Sequence, residues 1–179
     1  MKPYLVAGTL MLTLPALGQQ PPKEGLTRNK VKKVVATSAP VTQAEARAAF
    51  VRAERVIRSA VGIGGVPNTR SAGSKQPVTR AEVVEEFARL YTLVLPKAKI
   101  TPSPVRFDAA RLKIAGSQRE KLIRLVRAGA IAPVGPVAAG PKDTLTVAEF
   151  GDALGYFLSR MAEITYLPSR RWTPDLQDE

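Results

Sequence analysis

Four segments of this chain share one pattern, a Ser or Thr followed three residues later by Glu and then by apolar residues at helical spacing. They are Thr42-Gln43-Ala44-Glu45, Thr79-Arg80-Ala81-Glu82, Ser117-Gln118-Arg119-Glu120 and Thr146-Val147-Ala148-Glu149. The pattern is a capping box: the hydroxyl accepts the N3 amide hydrogen while the glutamate reaches back to the N-cap amide. The glutamate charge also suits the positive end of the helix dipole. Four boxes therefore predict four helices, each beginning at its box. Val78 with Val83, and Leu145 with Phe150, stand at the N′ and N4 positions of a hydrophobic staple, which fixes how the chain enters the second and fourth helices.

Behind the boxes the apolar residues keep a helical period. Phe50, Val51, Val56 and Ile57 mark the first helix, and Val83, Val84, Phe87, Leu90 and Tyr91 the second. Leu122, Ile123, Leu125 and Val126 mark the third, and Phe150, Leu154, Phe157, Leu158 and Met161 the fourth, with Arg and Glu on the opposite faces. The expected fold is all-α. Sliding the sequence on itself places Thr79 on Thr146, Gly62 on Gly129, Val56 on Ile123 and Leu90 on Phe157, which reads as an internal duplication. Each copy is then a helix, a glycine stop, a loop and a capped second helix, giving two helix-loop-helix repeats at about residues 41–95 and 107–166. Periodic helices also match one another by chance, so the alternative is two unrelated amphipathic pairs. Residues 96–116 form an irregular connection containing Pro102, Pro104 and the Phe107-Asp108 pair.

The amino terminus has the pattern of an export signal over residues 1–18: Lys2, then an apolar run over residues 4–14, then Pro15 and the small-residue stretch Ala16-Leu17-Gly18. The run is too short for a membrane span of about 20 residues. The competing reading is an uncleaved anchor, but with cleavage no transmembrane span is expected. Residues 19–40, with Pro21, Pro22, Gly25 and the cluster Lys30, Lys32 and Lys33, read as a flexible basic arm; it either docks on an anionic polymer or is a solvated linker. Val31, Val34 and Val35 could pair as a short strand. Residues 167–179 form a tail in which Trp172 either stacks on a sugar or packs the tail onto the body.

Charge and composition narrow the function. The formal net charge of +12 favours polyanionic partners: nucleic acid, anionic lipid or anionic wall polymer. Export argues against a specific nucleic-acid role. The chain has no histidine and no cysteine, so Ser/His/Asp and Cys/His nucleophilic sites, disulfides and Cys/His zinc sites are excluded. Residues 62–75 only faintly suggest a phosphate loop, and Glu85, Glu86, Asp143, Glu149 and Asp152 have neither calcium-loop spacing nor an evident catalytic partner. The reading is non-enzymatic, with no cofactor and no metal.

The run Val78-Thr79-Arg80-Ala81-Glu82, preceded by a helix ending in Gly62-Ile63-Gly64-Gly65, resembles the S-layer homology family and its Ile-Thr-Arg-Ala-Glu box. Phe107-Asp108 resembles that family's Phe-x-Asp opening. Residues 122–131 resemble its helix end, and residues 145–149 a weakened box. Gln43 and Val147 stand where the box arginine belongs, so one box alone is intact, and a full set of three modules is not evident. The resemblance spans roughly residues 40–165. It implies a cell-envelope module that attaches noncovalently to anionic cell-wall polysaccharide, since family members assemble three modules into a three-pronged unit that grips such polymers. It also implies that Arg80 faces the ligand groove.

The expected ligand-binding residues are therefore Arg80 together with the loop cations Arg70 and Lys75. An arginine one residue past an N-cap stands beside free amide hydrogens and suits a carboxylate or phosphate. The alternative is that residues 79–82 only cap a helix and Arg80 is solvated. The rival function is a secreted scaffold that packs against another protein or a second copy of itself. The expected location is the cell envelope: periplasm, cell surface or exterior.

Overall fold

The computed structural model describes residues 38–68 and 73–166. The export-signal pattern, most of the basic arm, Arg70 and the tail with Trp172 lie outside the described residues. Within them the chain is all-α. Its helices are α1 (Gln43–Val61), α2 (Arg80–Val94), α3 (Ser117–Arg127), the single turn α4 (Pro136–Ala139) and α5 (Val147–Thr165), with 3-10 turns at Leu95–Lys97 and Ala109–Arg111. No described helix is long and apolar enough to cross a membrane.

Three of the four capping boxes form as the sequence predicts. Thr42, Thr79 and Thr146 each accept the N3 amide hydrogen, while Glu45, Glu82 and Glu149 each accept the N-cap amide. The fourth box does not form. The N-cap of α3 is Gly116, Ser117 is already helical, and no side chain caps this end. Gly116 has φ 69°, a left-handed entry that L residues rarely adopt, so the turn belongs to the glycine and the Ser117 hydroxyl points instead to Gln118. Replacing Thr79 by alanine is expected to cost about 1 kcal/mol of stability, the usual value of such a cap, and thermal unfolding measures it.

The three formed boxes meet in a hub. The N-cap residue of each helix makes an antiparallel bridge to the extended residue two places ahead of the next box: Thr42 to Pro77, Thr79 to Thr144, and Thr146 to Pro40. The first amide of each helix follows the same cycle. Gln43 donates to the Gln76 carbonyl (2.8 Å), Arg80 to Asp143 (2.7 Å) and Val147 to Ala39 (2.9 Å). Val78 donates to the Val41 carbonyl and Val41 to that of Leu145, each at 2.9 Å. Helix starts leave amides without intrahelical partners. Here the first such amide of each helix is answered by the strand-like segment leading into the next helix, which closes α1, α2 and α5 into a ring with approximate threefold character.

Beneath the hub the apolar stripes converge. Phe50 meets Phe87 and Phe150 edge-on with centroids at 5.4 and 5.3 Å, and Phe87 lies 4.8 Å from Phe157. Val78 and Val83, and Leu145 and Phe150, are buried as the staples require. Gly62 and Gly129 share φ 68°, so both act as left-handed stops. The cyclic bridges nevertheless group α1 with α2 and α5, while α3 lies against α2 and connects it to the third box. Residues 96–116 pack rather than cross freely: Leu112 and Ile114 are buried, Asp108 caps the second 3-10 turn, and the Lys99 and Ile100 amides donate to the Ile164 carbonyl.

Candidate functional site

A threefold ring has three junctions, and this sequence treats them differently. At the α2/α5 junction the first helical residue is Arg80. Its guanidinium is covered: the residue is 3% exposed, and Nη2 donates to the Lys113 carbonyl at 2.6 Å and more loosely to Asp143 Oδ1 at 3.3 Å. Nε and Nη1 are buried without a protein partner. Arg80 therefore does not face an open groove, because the segment around Lys113 lies over it. At the α5/α1 junction the corresponding residue is the half-buried Val147, which offers no polar group beyond its backbone.

The α1/α2 junction is open. A cavity of about 320 Å³ lies there, lined by residues of α1 and α2, by Asn68 and Gly73 of the intervening loop, and by Gln118 at the start of α3. Phe50, Ala46, Val78 and Ala81 supply its apolar surface, and the polar groups stand in tiers along it. Nearest the hub, Gln43 Nε2 donates to Glu82 Oε1 at 2.9 Å, and Gln43 Oε1 accepts from the Ser74 hydroxyl at 2.8 Å. Next come Arg47, Glu85 and Gln118, with Glu85 held by the Lys121 ammonium. Farthest out are Asn68, Glu86 and Arg89, where Arg89 Nε donates to Glu86 Oε2 at 2.8 Å.

Gly73 sets the near wall of the cleft. A Cβ at this position would fall 2.5 to 2.6 Å from the backbone of Gln43 and Ala44, so only glycine allows the loop to lie directly on the first turn of α1. The Ala44 amide donates to the Ser74 carbonyl in the same contact. Lys75 is exposed beside it and does not line the cleft. Of the three cations expected at a site, Lys75 thus borders the α1/α2 junction, Arg80 is buried at the α2/α5 junction, and Arg70 lies outside the described residues.

Neither the capping boxes nor the charge pattern marks Glu54. It is fully buried on α1 between Phe50 and Ile57 and accepts hydrogen bonds from Arg58, Arg89 and the Asn68 amide. Burial pushes its carboxyl up, and the bonds from Arg58, the Asn68 amide and Arg89 outweigh that, leaving it below the usual carboxylate range. A signal did exist in the sequence: a carboxylate in register with Phe50 and Ile57 occupies a position that the helical period reserves for the core.

Each carboxylate of the cleft is already tied to a donor: Glu82 to its cap and Gln43, Glu85 to Lys121, and Glu86 to Arg89. The cleft thus offers planar hydrogen-bonding groups more than a free general acid or base. Among the described residues no three His, Cys, Asp or Glu side chains converge to hold a metal ion.

Similarity to known proteins adds nothing further. The chain matches no protein-family model, no curated protein and no solved structure at a significant level.

Several arginines are spent on the fold itself. Arg58 donates to the Gly64 carbonyl, Arg160 to that of Gly129, and Arg119 to those of Ala109 and Leu112. These cations still contribute to the electric field, while these donors hold loop carbonyls in place.

Proposed function

We propose that this chain is an exported cell-envelope binding module that attaches noncovalently to an anionic cell-wall polysaccharide through the α1/α2 cleft. The observation that carries the reading is the unequal ring: three boxed helices close a hub, and one junction stays open as a polar-lined cleft. The resemblance to S-layer homology modules supports it, because a ring of three boxed helices within one chain parallels the three modules that such anchors assemble. The cleft suits a glycan: the amides of Gln43, Asn68 and Gln118 and the guanidinium groups of Arg47 and Arg89 stand beside apolar surface, and its three carboxylates, Glu82, Glu85 and Glu86, are each held by a protein donor. The net charge of +12 supplies a second, diffuse attraction that salt weakens.

Cosedimentation with purified cell-wall sacculi tests this across a salt series. Ala81 lines the cleft on α2, and Ala81→Phe fills the space without changing net charge. Bound protein at moderate salt is expected to fall at least about tenfold in the variant, the weight of one lost set of buried contacts. Equal binding that fades together with salt for both proteins would reduce the interaction to diffuse charge. No binding at any salt would favour the rival scaffold reading, for which α5 offers an exposed face at Gly151, Gly155 and Tyr156.

A further inference from the structure

One wall of the α1/α2 cleft is not made by a helix. Asn68 belongs to the loop that leaves α1 at Gly62, and nothing in the local sequence would hold an isolated asparagine there. What holds it is Glu54. One carboxylate oxygen accepts from Arg58 Nε at 2.7 Å, and the other accepts from Arg89 Nη1 at 2.7 Å and from the Asn68 amide at 3.2 Å. Arg58 extends the same grip, donating from Nη1 to the Gly64 carbonyl at 2.7 Å. A single buried charge thereby fixes the loop at two points and sets the direction of Arg89. Asn68 and Arg89 both line the cleft, and Glu54 does not.

The chemistry makes this an unusual choice for stability alone. Enclosing a carboxylate is costly, and a buried ion pair often gains little over apolar side chains of similar size. The position lies between Phe50 and Ile57, where leucine would continue the stripe. What the carboxylate supplies that leucine lacks is direction: an acceptor that a loop amide and two guanidinium groups can meet only in one arrangement.

We propose that Glu54 is the positioning residue of the cleft: it touches no ligand but holds Asn68 and Arg89 at the spacing a ligand meets, so that the site is preformed. The proposal rests on the reading of the cleft as the polymer site. It would make the loop of residues 62–68 part of the binding surface rather than a simple connection.

The test combines amide hydrogen exchange with the sacculus assay on the full chain, using Glu54→Gln and Arg58→Gln. In Glu54→Gln, exchange of the Ile63 and Asn68 amides, which are hydrogen-bonded in this loop, is expected to accelerate, and that of Asn68, whose acceptor is changed, at least about tenfold, the weight of a lost charge-assisted hydrogen bond. The hub amides of Gln43, Val78 and Arg80 keep their protection, and binding falls with the loop. Arg58→Gln leaves Glu54 paired with Arg89, so it loosens the same residues to a lesser extent even if the first variant proves too unstable to study. Acceleration spread evenly over the hub in Glu54→Gln, with no local change in Arg58→Gln, would make Glu54 a core residue and overturn the proposal. A loosened loop with undiminished binding would also overturn it while leaving the cleft reading intact. A loosened loop in a chain whose wild type binds no polymer would instead remove the cleft reading.

Discussion

Replacing Phe87 by alanine should cost about 3–5 kcal/mol, the range for truncating a buried aromatic ring. Phe87 is fully buried on α2, and its ring meets Phe50 of α1 and Phe157 of α5, so it touches all three boxed helices at once. Each aromatic contact adds about 0.5–1.5 kcal/mol beyond the area buried. No neighbour can fill the space cheaply, because the facing rings are held by their own helices, which the hub fixes at their starts. Against a total stability of about 5–15 kcal/mol for a domain of this kind, the loss is large. Urea unfolding followed by circular dichroism measures it as a lower midpoint at unchanged slope. A loss below about 1 kcal/mol would mean that the three stripes do not share one core.

Arg80→Ala is the second large effect, expected at about 2–4 kcal/mol from the lost packing of a buried stem and the unpaired Lys113 carbonyl. The companion Arg80→Met separates the causes. Both variants remove the guanidinium, including Nε and Nη1, which are buried without a protein partner, but methionine keeps much of the stem volume, so this variant should be less destabilised than the alanine form, and the difference reports the packing of the stem. The same denaturation experiment reads both. If instead Arg80→Ala unfolds like wild type yet no longer sediments with sacculi, Arg80 is a ligand contact and the expectation drawn from the intact box is restored.

These two residues show how far local pattern reached. Phe87 was legible because its place in the stripe of α2 is a matter of period, and a helix of this amphipathicity must bury that face. Arg80 was legible only as the residue after an N-cap. Whether that position meets solvent, a ligand or another segment depends on what lies across the junction, and here it is the chain near Lys113, distant in sequence. Gln43 and Val147 hold the same place in their own boxes and end in different surroundings for the same reason.

Ser117 and Glu54 mark the two kinds of miss. At Ser117 the box spelling is right, but the left-handed entry at Gly116 shifts the helix start by one residue, so the hydroxyl has no N-cap geometry to serve. At Glu54 the residue type contradicts its position in the stripe, and a buried carboxylate is tolerable because Arg89 from α2 and Asn68 from the loop join Arg58 of the same helix around it.

By itself the sequence determined the all-α class, the starts of α1, α2 and α5 and the apolar faces they bury, because capping and helical period act within a few residues. The closure of three boxes into one hub, the covering of Arg80 and the opening of a cleft at a single junction were decided by tertiary structure alone. Each depends on hydrogen bonds and packing between segments far apart in the chain, and no local pattern specifies which segment will arrive.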